Sequence, residues 1–287
     1  MLRNIVIGVL LAAALFASVA WLSWSPGPDV YAHTASVSAI PLQARFRTWA
    51  EHDAIVEKTW PKPYVLELGN LVFYGAHHTS DRHDPQLADI EARWNAFKPT
   101  VALNEGRRRG YFLGPFAMAG SRSESQLLHE LARRDGVTFY SLEPPYEEEV
   151  GALLETWTPE QVALYFTTRV YWGESGGNAD EGLAEHLRKK RTDVDGLRGS
   201  LATIADIDRV WKRDLPGLPD WRTLKEEPEG SILAAIADDS RRVRGEYMAR
   251  TIIDLARKGE RVFAVVGSGN VIRIEWILRE ALGAPPA

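Results

Sequence analysis

The 287-residue chain predicts an α/β fold: a central mixed sheet with parallel β-α-β units in two halves and a helical insertion between them. Three observations carry that expectation. Short apolar runs of strand length alternate with longer stretches whose apolar residues recur every three or four positions. Strand, helix and strand following one another at this spacing imply a parallel crossover, because a hairpin needs only a short turn. Between the first units and the last, residues 159–228 read as mainly helical and highly charged.

The organised part begins at Tyr64. Residues 65–68 and 71–74 are apolar runs joined by Gly69-Asn70, a two-residue hairpin signal. Pro85–Phe97 reads as a helix, since Leu87, Ile90, Trp94 and Phe97 share one face and Asp84 before Pro85 is a natural N-cap. Residues 100–104 form the next strand. Helix over 123–134, strand over 137–142 and helix over 146–156 repeat the pattern, with Glu147, Glu148 and Glu149 at a helix N-terminus, where negative charge is favoured. The insertion, about residues 159–230, breaks at Gly173-Glu174-Ser175-Gly176-Gly177. A helix over 241–258, a strand over 261–266, the turn Gly267-Ser268-Gly269-Asn270 and a helix over 271–282 complete the pattern.

Upstream, Arg3 precedes an uncharged run over residues 5–22, and Ser18-Val19-Ala20 offers small residues suited to signal peptidase. A run of that length also just spans a bilayer, and Trp21 and Trp24 suit its interface. Residues 1–24 are therefore expected to be a signal peptide or an N-terminal membrane anchor. Either directs export, with the main domain periplasmic or otherwise outside the cytoplasm. Residues 25–62, with prolines at 26, 28, 41 and 61, read as a tether and entry segment, and residues 63–287 as one α/β domain carrying the insertion.

Composition narrows the function. At 45% hydrophobic residues the chain can bury one large core or two small ones, with one large domain expected because no long low-complexity linker splits it, and ten Trp and nine Tyr fit a well-anchored core. A net charge of −5 and a pI near 5.9 carry no polyanion-binding signature, so nucleic acid is not an expected partner. There is no cysteine, which excludes disulfides, thiolate catalysis and Cys-ligated zinc. His-Glu-x-x-His and Gly-x-Ser-x-Gly are both missing from the sequence. Gly267-Ser268-Gly269 lacks the third glycine of a dinucleotide fingerprint, since Ile272 stands there, and the chain ends before an acidic residue could meet a ribose.

In parallel α/β sheets ligands bind beyond the carboxyl ends of the strands. The residues there are His77 and His78 after the first hairpin, Glu105 after the second parallel strand, Glu143 after the third, and Asn270 after the last. Two imidazoles, two carboxylates and an amide suit a divalent metal, or a water activated by histidine beside a carboxylate. Asp81, His83 and Asp84 lie in a polar loop, more simply read as solvated surface with a helix cap than as a second metal site.

The order of these pieces resembles the TraB/GumN family, in the wider group of erythromycin esterases, TIKI proteases and haem-binding ChaN lipoproteins. Gly75-Ala76-His77-His78 is similar to its Gly-x-x-His, Glu105 with Arg107, Arg108 and Arg109 to its strand-end Glu with arginines, and Leu142-Glu143 to its later Leu-Glu. Arg244-Gly245-Glu246-Tyr247-Met248-Ala249 is similar to its Arg-x-x-x-Met-Ala helix. The likeness covers roughly residues 64–110, 137–150 and 240–282. One piece departs: the family ends its last strand with Gly-x-x-His, and this chain has Asn270 there, a poorer ligand and no base near neutral pH.

The resemblance implies a metal-dependent hydrolase acting on a peptide, ester or similar acyl bond. His78, Glu105, Glu143 and Asn270 would be the ligands of a divalent ion (Mn, Co or Zn). His78, Glu105 and Glu143 would move protons, and Arg244 would orient a carboxylate or stabilise negative charge. The rival expectation is a non-catalytic protein of the same fold binding haem or another small ligand through His77 and His78.

Overall fold

The computed structural model describes residues 7, 15–19, 24–33, 42, 46–59, 63–106, 111–112 and 123–283. The chain divides into two compact units, one formed by Met1–Glu143 with Gly245–Ala287 and the other by Pro144–Arg244.

The first unit is the α/β body. Its strands are β1 (Trp24–Ser25), β2 (Asp29–Val30), β3 (Tyr64–Leu68), β4 (Leu71–Ala76), β5 (Val101–Asn104), β6 (Tyr111–Phe112), β7 (Thr138–Ser141) and β8 (Val262–Gly267). Six of them form a mixed sheet in the order β2-β7-β5-β8-β4-β3, while β1 and β6 pair separately. Only β3–β4 is antiparallel within the large sheet; every other neighbour is parallel. The fold is α/β, as the alternation of runs predicts. The Gly69-Asn70 hairpin forms as expected, with Gly69 at φ +54°, a left-handed turn conformation that glycine adopts without a Cβ penalty.

Side chains alternate between the two faces of the sheet. On one face Val72, Tyr74, Ala102, Phe263 and Val265 pack beneath α2 (Pro85–Phe97) and α3 (Glu124–Asp135). Asp84 caps α2 by accepting the Gln86 N–H at 3.0 Å, as the Asp-Pro pair predicts. Trp94 of α2, fully buried, donates its indole N–H to Asp135 at the end of α3 at 2.7 Å, locking the two helices together. Truncating such a buried aromatic costs about 3–5 kcal/mol. On the opposite face Leu71, Phe73, Val101, Leu103, Val262 and Ala264 meet the second half of α8 (Ile232–Arg257) and α9 (Ser268–Ala281).

Three expectations shift. The stretch read as a tether supplies β2, paired in parallel with β7, and α1 (Trp49–Thr59); Tyr31 and Leu42 are buried in the core. Tyr31 is tied down by polar bonds that composition does not reveal: its hydroxyl donates to Asp254 and its carbonyl accepts from Tyr247. The turn expected at Gly267-Ser268-Gly269-Asn270 is instead the end of β8 and the first turn of α9, with Gly267 as N-cap. α8 begins at Ile232, nine positions before the expected start, because Ala234, Ala235 and Ala237 extend it. Two thirds of the apolar run over 5–22 lies outside the described residues. Among those described, no helix is long and apolar enough to cross a membrane.

The second unit is helical and larger than the insertion read from sequence. It holds α4 (Tyr146–Leu154), α5 (Pro159–Ser175), α6 (Glu181–Thr192), α7 (Ile204–Asp214), a short 3-10 turn at Trp221–Thr223, and the first half of α8. Its own core is built around Tyr165, Tyr171, Trp172, Trp211 and Trp221. α5 runs through Gly173 and stops at Gly176, which caps it at φ +61°.

Candidate functional site

β4 and β8 end side by side, Ala76 opposite Gly267, so the residues after both strands emerge at one edge. Their approach depends on Gly75. A Cβ there would lie 2.8 Å from the Ser268 Cα and 2.7 Å from the Tyr64 carbonyl oxygen, so α9 can cross the strand end only over a bare backbone.

Glu105, half-buried, follows β5 at the same edge. Its amide donates to the Val265 carbonyl at 3.1 Å, and its carboxylate Oε2 accepts the Gly267 N–H at 2.7 Å. Ser141 fixes the next residue by donating to the Gly106 carbonyl at 2.8 Å. The carboxylate is therefore aimed by two strand ends and a cross-strand hydroxyl.

His78 stands opposite. Its Nδ1 lies 2.7 Å from Glu124 Oε1, and Glu124 Oε2 accepts the Thr79 N–H at 3.4 Å. Glu124 is the first residue of α3, after the N-cap Ser123, where the helix favours negative charge; its side chain is only 5% exposed, that of His78 73%. A buried carboxylate accepts, so Nδ1 carries the hydrogen and Nε2 presents the lone pair. The Glu124 hydrogen bond raises the His78 pKa above its usual value; partial burial opposes this, and the charges of Glu124 and Glu105 add to it. Nε2 faces Glu105: a Cβ added to Gly267 would lie 3.2 Å from His78 Nε2 and 3.3 Å from Glu105 Oε2. The two reactive atoms flank the space that Gly267 leaves open.

The other expected residues are placed as follows. His77 Nε2 bonds Asp84 Oδ2 at 2.8 Å, and its carbonyl accepts from Gln86, so it ties the strand end to the α2 cap. Asp84 is held below the usual carboxylate range: burial pushes it up, but the Gln86 N–H and His77 outweigh that. Glu143 is buried after β7, its amide accepted by Ser141 Oγ at 3.0 Å. Asn270 is half-buried in the first turn of α9. Arg244 is the last residue of the second unit, on α8. Arg107, Arg108 and Arg109 lie outside the described residues. His83 is exposed, its N–H held by Asp81 Oδ1 in a local turn, as a polar surface loop requires.

For a metal, His78 Nε2 and Glu105 Oε2 are donors of the right kind. Among the described residues, however, no three His, Asp or Glu side chains form a group that could hold an ion. An open groove of about 760 Å³ lies at the far end of the sheet, lined by Gly69, Asn70, Arg257 and Leu282. It sits a β4 length, about 17 Å, from His78 and gathers no comparable chemistry.

Sequence reasoning missed Glu124. Its only signal was a carboxylate directly after a Ser cap, which also serves any helix N-terminus. Comparison with protein-family models, curated proteins and solved structures finds no match for this chain.

Proposed function

We propose that the protein is an exported hydrolase of the TraB/GumN kind, in which His78 activates water against a peptide, ester or similar acyl bond. One observation carries this reading: His78 Nε2 and Glu105 Oε2 flank the same small space over Gly267, while Glu124 holds the far side of the imidazole. His78 Nε2 takes a proton from water as the water oxygen attacks the acyl carbon. Glu124, accepting from Nδ1, keeps the productive tautomer and stabilises the imidazolium. Glu105, held by the Gly267 N–H, orients the water. The first-turn N–H groups of α9 have no intrahelical partner and favour negative charge, which supports oxyanion stabilisation at this edge.

A panel of fluorogenic peptides and small esters tests the reading. His78→Ala and Glu105→Gln are each expected to lower kcat/KM by about 10² or more with little change in thermal melting. His83→Ala is expected to be nearly silent. Wild-type turnover in both of the first two variants removes the reading, and an equal loss in all three moves the site to the 81–84 loop.

A further inference from the structure

A second imidazole lies beside the first turn of α9. A Cβ added to Gly269 would lie 3.0 Å from His52 Nε2, just as one at Gly267 would meet His78 Nε2. Nδ1 of His52 lies 2.8 Å from Asp53 Oδ1, so this ring too is held at Nδ1 with Nε2 left toward α9. Its side chain is 15% exposed, and the edge of Trp49 packs against it at 5.3 Å between centroids. α1 is fixed to α9 in turn: the Arg47 N–H donates to the Arg273 carbonyl at 3.1 Å, and the Arg273 guanidinium stacks on Trp49 at 4.3 Å. The two glycines are separated by one residue, so their Cα atoms are about 7 Å apart at most.

Resting on the hydrolase reading, we infer that His52 is the proton donor to the leaving group. His78 removes a proton from the attacking water, and the tetrahedral intermediate then breaks its bond to the departing oxygen or nitrogen. His52, entering the step as the imidazolium with its Nδ1–H on Asp53, gives that atom its Nε2 proton, releasing alcohol or amine beside the new carboxylic acid. His52 ends neutral and His78 protonated, and exchange with solvent restores both. The arrangement explains why the first turn of α9 has no side chain at either glycine: a methyl at each would press on an imidazole.

The test is leaving-group dependence. One acyl group that the wild-type protein turns over is presented on leaving groups of rising basicity, from 4-nitrophenol to a simple alkanol. His52→Gln is expected to cost less than about tenfold on the nitrophenyl ester, which needs no acid, and about 10² or more on the alkyl ester. Gly269→Ala, which keeps the histidine but presses on Nε2, is expected to show the same selectivity. Losses equal across the series in both variants overturn the proposal and leave His52 a packing residue, with the hydrolase reading intact. Absence of any wild-type turnover overturns that reading and this role together.

Discussion

Gly267→Ala separates the chemistry of the edge from its stability. Gly267 has φ −60° and ψ 138°, which alanine adopts freely, so the backbone imposes no strain. A less flexible unfolded chain contributes about 0.4–1 kcal/mol in favour of the variant. Against it, the new methyl lies 3.2 Å from His78 Nε2 and 3.3 Å from Glu105 Oε2, where comfortable contacts are about 3.5–4.0 Å. Each atom must retreat a few tenths of an ångström, and neither is free to do so. Glu105 is held by the Gly267 N–H at 2.7 Å and His78 by Glu124 at 2.7 Å. Stretching two such bonds costs about 1 kcal/mol each. The net expectation is a loss of about 1–2 kcal/mol, a melting shift of only a few degrees in a chain of this size. Activity falls much further, because the methyl fills the space assigned to the water, and misplacement near 1 Å costs about 10² in rate. Thermal melting and kcat/KM on the same preparations read both numbers. A Gly267→Ala protein with wild-type kcat/KM would refute the placement of the reacting water between these atoms.

Two further outcomes are expected. Glu124→Gln removes the carboxylate charge and weakens the hydrogen bond that leads the rise of the His78 pKa, so the acid limb of kcat/KM, where the base becomes protonated, should move to lower pH; NMR titration of the His78 ring should follow it. In the wild type the same pair contributes to folding fully below pH 6.5, and that contribution fades as pH climbs through the raised folded-state value, so the melting difference between wild type and variant should shrink on the alkaline side. Asn270→His adds an imidazole in the first turn of α9 and should tighten Zn²⁺ or Mn²⁺ binding by about tenfold, measured by calorimetry. Unchanged affinity would place residue 270 away from the His78–Glu105 pair.

The sequence made the local pieces legible and left the long-range ones dark. Gly69-Asn70 and Asp84-Pro85 announced a hairpin and a cap because turn and cap chemistry act over two or three residues. His78 and Glu105 were legible because strand ends follow from apolar runs. Glu124 was not, since it is 46 positions from His78 and no periodic pattern links them. His52 was hidden in a proline-flanked segment, where no fully buried face marked α1. Gly267 and Gly269 were misread as turn residues. Both serve by lacking volume rather than by unusual torsion, and only the neighbours in space reveal that.

The strand order β2-β7-β5-β8-β4-β3 has a consequence in time. β8 lies in the middle of the sheet, yet among the described strands it is the last to be made. Until residue 267 has left the ribosome, β4 and β5 have no common neighbour, and the hairpin and the β5–β7 pair remain two fragments with open edges. At about 5–20 residues per second, those edges wait for the synthesis of the entire helical unit before the last strand arrives between them. The residues that meet over Gly267 thus come together only once β8 has been made, so a chain cut short of Gly267 carries His78, Glu105 and Glu124 without the strand end that brings them together.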